Sequence, residues 1–334
     1  MHLSKKIKFL PLVFFLCTSQ IQAQNFTASS KDAENAISEQ SLLYDIEFLT
    51  DSICNGRATG TRGASEAAAY IAARFRQEGL MPVNDNYFQS FKTVNGLAGH
   101  NVVGVLKSNP YKDSDKYIIV AAHFDNLGEL DGRIYPGADS NASGVSAMIG
   151  LAGMFKFMRE GGRNYNQHII FVALDGKQSS MSGAEELWRR INSGTMCSPV
   201  TGNIIRRQNI TMFVNLDILG GTEAPLHHGR PDYLMMLGGR QQNTLLATTN
   251  RNYNINLDIA FDYYGSKGFT DMFLNRVSDQ KVFLQHGIYS VLFTSGITMK
   301  TNRYEDRPEY IDMTVLKKRA WLIFHWIERV VQIL

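Results

Sequence analysis

Cysteine is scarce in this 334-residue chain, limited to Cys17, Cys54 and Cys197, and their spacing forms no cysteine metal motif. Cys54 and Cys197 remain once a leader is removed; they can form one disulfide or none, since spacing does not fix connectivity. An excess of charge of one sign is also missing. The 34 Lys and Arg against 31 Asp and Glu give a formal charge of +3, scattered along the chain, so electrostatics nominate neither a nucleic-acid nor a membrane surface. No internal repeat and no low-complexity linker divides the chain, and no apolar run is long enough to span a bilayer. What remains is the composition of a soluble globular protein, 44% hydrophobic and 19% charged, able to bury a substantial core in one large or two modest domains.

The amino terminus reads as a leader rather than as part of the fold. Lys5, Lys6 and Lys8 precede the apolar run FLPLVFFLC, and TSQIQA supplies the small-residue ending of a signal peptide cleaved after Ala23. The run is too short for a membrane anchor, and FFLC lacks the small residues that precede a lipidated cysteine. Residues 1–23 are therefore expected to direct export to a periplasm or to the exterior, residues 24–37 to form a flexible polar lead-in, and residues 38–334 to form one domain.

Within that domain, SEQSLLYDIEFLTD carries apolar residues at helical spacing behind a Ser38 cap, and RGASEAAAYIAARFRQEGL repeats the pattern up to Gly79. Short apolar runs follow at NVVGVLK, YIIVAAH, HIIFVALD, MFVNLD, YLMMLG and YSVLF, with helical stretches over 142–160, 181–192 and 312–333. Near-continuous hydrophobic strands alternating with helices predict a sheet covered on both faces, a three-layer α/β/α domain with a mixed, mostly parallel sheet.

Open sheets of this kind build sites beyond the carboxyl ends of their strands. YIIVAAHFD puts His123 and Asp125 there, on the same side of the chain because strand side chains alternate; YPGADSNASGV places Asp139 in a glycine-flanked loop, and FVNLDILGG ends in Asp217. One imidazole and two carboxylates, His123, Asp139 and Asp217, form a set able to hold zinc with a fourth position open to water. Each also has a plain structural reading, as a hydrogen-bonded strand end or as a cap on a helix or turn. Glu185 and Glu186 in GAEELW read as a solvated helix face, and the aromatics of FDYYGSKGFTD as core packing ahead of ligand contact.

Taken together, NGRATGTRGASEAAAYIAARFRQEGL, AAHFD, PGADSNASGVSAMIGLA, FVALDG, VNLDILG and SDQKVFLQHGIYSVLFTSG resemble, in order, the secreted zinc aminopeptidases and glutaminyl cyclases of metallopeptidase family 28, over nearly the whole mature chain. That resemblance implies a peptide or other small ligand in the cleft and two zinc ions bridged by an aspartate. Asp139 would bridge, His123 and Asp217 would share one metal, and Asp125 would orient His123. It also implies a cis peptide before Ser140.

The chain departs from the family where chemistry is done. Active relatives carry two consecutive glutamates after the strand, a proton acceptor and a ligand; here Lys177 and Gln178 stand in those positions. The family's last histidine ligand corresponds to Asn302, and its SDH motif has become Ser278, Asp279 and Gln280. An ammonium with a reference pKa of ~10.4 is no general base near neutrality. Two amides in place of a carboxylate and an imidazole leave the second metal position with little affinity, so at most one zinc is expected. Without metal, the Lys177 ammonium would be drawn to Asp125, Asp139 and Asp217. Sequence alone thus favours an exported, catalytically impaired or inactive homologue with its cleft reused for binding. The alternative is a mono-zinc aminopeptidase-like hydrolase using His123, Asp139 and Asp217. A cyclase fits less well, since by the same resemblance its zinc is held by the ligands this chain has lost.

Overall fold

The computed structural model describes residues 29–107 and 115–333; the leader expected over 1–23 lies outside the described residues. Strands β1 (Met81–Pro82), β2 (Phe88–Lys92), β3 (Ala98–Leu106), β4 (Tyr117–His123), β5 (Gly128–Leu130), β6 (Arg133–Tyr135), β7 (His168–Leu174), β8 (Ile210–Leu216), β9 (Tyr233–Leu237), β10 (Asp258–Ala260) and β11 (Ser290–Thr294) alternate with helices. The helices are α1 (Glu39–Thr50), α2 (Arg62–Gln77), α3 (Ser143–Glu160), α4 (Ser182–Ser193), α5 (Asn243–Asn252), α6 (Lys267–Asn275), α7 (Gln280–Gln285) and α8 (Met313–Ile333). Local chemistry sets their starts. The Ser38 hydroxyl accepts from Ser41 N while Ser41 Oγ accepts from Ser38 N, and Thr61 caps α2 through Ala64 N.

Nine strands form one mixed sheet in the order β1-β3-β7-β4-β8-β11-β9-β10, with β2 also paired to β3; β5 and β6 form a separate hairpin. The centre, β7-β4-β8-β11, is parallel, as is the β9–β10 edge, whereas β3 joins β7, and β9 joins β11, antiparallel. Burial on both faces explains the unbroken apolar runs. On β4, Ile118, Val120 and Ala122 join a core with α1, α2, α3 and α8, while Tyr117, Ile119 and Ala121 join Leu187 and Trp188 of α4 and Val282 and Phe283 of α7. The α/β/α layering is that expected from the sequence.

Part of the expected flexible lead-in is packed instead. Residues 32–36 form a 3-10 turn that buries Ala33 and Glu34, and the Glu34 carboxylate lies 2.8 Å from His325 Nε2 of α8 and 2.8 Å from Lys31 Nζ. A polar composition hid this anchor because one of its contacts is a side-chain hydrogen bond with a residue at the far end of the chain.

Candidate functional site

The parallel strands β4, β7 and β8 end side by side, and each delivers one polar group to the same point: His123 ends β4, Asp217 follows β8, and Lys177 follows β7 in a turn. That turn is held by Asp125, whose two carboxylate oxygens accept from Lys177 N and Gln178 N, each at 3.0 Å. It is packed against the start of α4 so closely that a Cβ on Gly183 would sit 2.1 Å from Asp175 O. Lys177 is thereby aimed inward. Its Nζ lies 2.5 Å from Asp217 Oδ2 and 3.0 Å from His123 Nε2.

The ammonium therefore stands between the imidazole and the carboxylate that sequence reasoning paired as metal ligands. Burial raises the pKa of Asp217, but Lys177 and His123 outweigh it and hold the carboxylate far below its usual range. His123 Nε2 also lies 3.2 Å from Asp217 Oδ1, and Nδ1 lies 3.1 Å from Asp125 O. Only one proton can serve Nε2. A neutral ring protonated at Nδ1 accepts from Lys177, whereas a charged ring donates to Asp217 with a second cation beside it. Burial and Lys177 push the His123 pKa down, but the bonds to Asp125 and Asp217 prevail and raise it. Orientation of His123 comes chiefly from the Asp125 backbone carbonyl, since the nearest Asp125 carboxylate oxygen is 3.6 Å away.

Asp139 is held elsewhere. Its carboxylate accepts from Gly220 N at 2.6 Å and Ser143 Oγ at 3.1 Å, and burial together with Asp306 pushes its pKa up to about 7. Among the described residues, no three His, Cys, Asp or Glu side chains converge in a metal-holding geometry. The cis peptide lies one residue beyond the expected place, between Ser140 and Asn141. Gln178 and Asn302 do meet across a cleft of about 340 Å³, walled also by Ser140, Thr301, Met272 and Phe273.

Three buried residues that frame the site were not singled out from the sequence. Asn141 spans the strand ends, donating to His123 O and Leu216 O and accepting from Gly144 N and Ile218 N. Asp306 accepts from Asp139 N at 2.7 Å and Ser140 N at 3.0 Å. Among the described residues Arg57 pairs with no carboxylate; its guanidinium donates to the carbonyls of Phe124, Pro136, Gly137 and Leu49, tying α1 to both site loops. Asn141 and Arg57 lie inside the quoted motifs, whereas Asp306 lies outside them.

Of the SDQ positions, Ser278 donates to Asp217 Oδ2, and Gln280 turns to the α6 carbonyls of Phe273 and Leu274. Asp279 is fully buried with neither carboxylate oxygen hydrogen-bonded, and burial pushes its pKa up to about 6. Glu185 is exposed as expected, but Glu186 is not on a solvated face: it is buried beneath Arg189 and Arg190, which neutralise it. The aromatics after residue 261 largely pack on one another, with Tyr263 stacked 4.2 Å from Phe273. Both Cys54 and Cys197 are free thiols.

The family model described as "Peptidase family M28" matches residues 101–327. The alkaline phosphatase isozyme conversion protein of Escherichia coli (strain K12) is 28% identical over 179 residues, 49% of this chain and 47% of that protein. The BOS complex subunit ncln of Danio rerio is 24% identical over 202 residues, 58% of this chain and 34% of that protein. The matched region thus spans half or less of either relative. The LapA aminopeptidase of Legionella pneumophila superposes with a TM-score of 0.69 at 15% identity, covering 91% of this chain and 75% of that one. The glutaminyl cyclase of Macrostomum lignano gives 0.67 at 15%, covering 97% and 96%. BSAP, a zinc aminopeptidase from Bacillus subtilis, gives 0.64 at 12%, covering 88% and 95%. The strand-end geometry, the fold and the family match agree: this chain belongs to peptidase family M28.

Proposed function

We propose that this chain is an exported, aminopeptidase-like protein that binds peptides in its central cleft without hydrolysing them. One observation carries the reading: Lys177 Nζ is hydrogen-bonded to both Asp217 and His123. Peptide hydrolysis in this fold needs a proton acceptor beside an activated water, and an ammonium paired to a carboxylate accepts no proton near neutral pH. Zinc, which the family implies, does not fit this donor set. A cation at His123 and Asp217 would face the Lys177 ammonium, Gln178 and Asn302 offer only neutral amides, and Asp139 is committed to Gly220 and Ser143. The amides suit another task, since each presents a donor and an acceptor, as the peptide backbone does. The leader over 1–23 supports export to a periplasm or the exterior.

The test is metal content and turnover on the full mature chain. Protein purified without chelator should carry far less than one zinc per chain and release nothing from a panel of aminoacyl chromogenic substrates. Stoichiometric zinc, with chelator-sensitive turnover lost in His123→Ala, would overturn the proposal in favour of a mono-zinc hydrolase on His123, Asp139 and Asp217.

A further inference from the structure

The loop over 298–306 has two faces. One presents Thr301 and Asn302 to the central cleft; the other forms, with the β5–β6 hairpin, a second cleft of about 490 Å³. Consecutive turns stiffen the loop: Thr301 N donates to Thr298 O, Arg303 N to Lys300 O, and Asp306 N to Arg303 O. The Asp306 carboxylate then clamps it to the backbone of Asp139 and Ser140. The wall between the two clefts is thus part of the site framework.

Chemistry on the two sides differs. The second cleft is lined by Arg133, Lys300 and Arg303 against the single carboxylate of Glu305, with Tyr135, Tyr304 and Tyr310 between them. Arg133 lies with its guanidinium 4.9 Å from the Tyr304 ring centroid, and Lys300 Nζ lies 3.7 Å from that of Tyr310. Lys300 is additionally paired with Glu223. Arg133 and Arg303 are exposed and pair with no carboxylate among the described residues. A guanidinium stacked on a ring keeps its N–H fork free for a planar anion, and its stem entropy is already partly lost.

We propose that this second cleft is an anion subsite for acidic side chains of the peptide held in the central cleft, with Arg133 and Arg303 as the carboxylate-binding residues. The proposal rests on the peptide-binding reading above. A continuous partner is favoured because the two clefts share one short loop as their common wall, with Thr301 and Asn302 lining one side and Lys300 and Arg303 the other. The unpaired guanidinia supply the charge complementarity.

The experiment is fluorescence anisotropy on the full mature chain with an N-acetylated, fluorescein-labelled peptide of glutamates and leucines, and with its glutamine counterpart. Acetylation keeps any aminopeptidase activity from consuming the probe, so this result and the zinc measurement fail independently. The acidic peptide should bind, weaken at high salt, and lose about tenfold in affinity with each of Arg133→Gln and Arg303→Gln. The controls Arg62→Gln and Arg251→Gln, each of which removes the same single charge from α2 or α5, should leave binding unchanged. Equal binding of the glutamine peptide, or an equal loss in the controls, overturns the subsite. Competition by inorganic phosphate at the peptide's own affinity would show a small-anion site and overturn its assignment to a peptide.

Discussion

Replacing Lys177 by methionine removes the ammonium while keeping most of the side chain's length and apolar volume. In the native protein the partners are nearly dry, with side-chain exposures of 14% for Lys177 and 7% for Asp217. Removing one member of a buried pair leaves the other charge without compensation, at a cost of about 3 kcal/mol or more. Here the cost should depend on pH, because His123 is the neighbour able to replace the lost cation. Its Nε2 faces Asp217 Oδ1 at 3.2 Å, and Lys177 is one of the influences that lowers its pKa. Without Lys177, the His123 pKa rises further above its unfolded value near 6.5. A raised histidine contributes stability that is fully present below the unfolded pKa and is lost as pH rises through the folded one. The destabilisation of Lys177→Met should therefore be small at mildly acidic pH and grow towards about 3 kcal/mol at alkaline pH. Urea denaturation of both proteins across that range measures it. An unchanged stability difference at every pH, or none at all, would refute the placement of the ammonium between His123 and Asp217.

Asp279 has a folded pKa raised to about 6 by burial without any hydrogen-bond donor, so its contribution to stability is complete below about pH 4 and lost as pH rises through 6. Asp279→Asn should flatten that fall, leaving the variant more stable than the parent by about 3 kcal/mol at pH 8, as read from denaturation midpoints. Arg57→Met strands four buried carbonyls and should cost about 4 kcal/mol; a loss below about 1 kcal/mol would mean that water replaces the guanidinium. The combined variant Lys177→Glu, Gln178→Glu and Asn302→His gathers carboxylates around Asp125 and Asp217, so its melting temperature should rise on adding zinc while that of the parent does not. A folded variant indifferent to zinc would mean that the pocket has diverged beyond those three positions.

The sheet was legible because a strand buried on both faces leaves an unbroken apolar run, as in YIIVAAH and HIIFVAL, and the long helices because α1 and α2 carry their own caps. Elements without such signals were not: β1, β5, β6 and β10 have two or three residues each, and α7 only six, too few for a period to emerge. The strand ends brought His123, Asp217 and Lys177 together as their positions after β4, β8 and β7 suggested. What the pattern could not convey was orientation. Asp139 follows the same logic in sequence, but its carboxylate is engaged by the Gly220 N–H, a backbone donor that no residue identity reveals, and by the Ser143 hydroxyl four residues along. Glu186 was misplaced for a related reason, since two arginines one helical turn later shield a glutamate that composition alone leaves in solvent.

The pocket makes electrostatic sense as a unit. Asp125 is fully buried and Asp217 nearly so, and carboxylates at such depth require cations or several donors to stay charged. Asp125 receives two backbone N–H groups from the Lys177 turn, so the loop it positions supplies its donors. Asp217 receives the Ser278 hydroxyl and the Lys177 ammonium. A glutamate at 177 would add a third negative charge to the same dry volume and make folding depend on a metal to neutralise it. Lysine removes that dependence, because the neutralising charge is carried by the chain itself. On the proposed reading, the side chain that stands where a proton acceptor would be needed also lets the surrounding acidic framework stand without an ion.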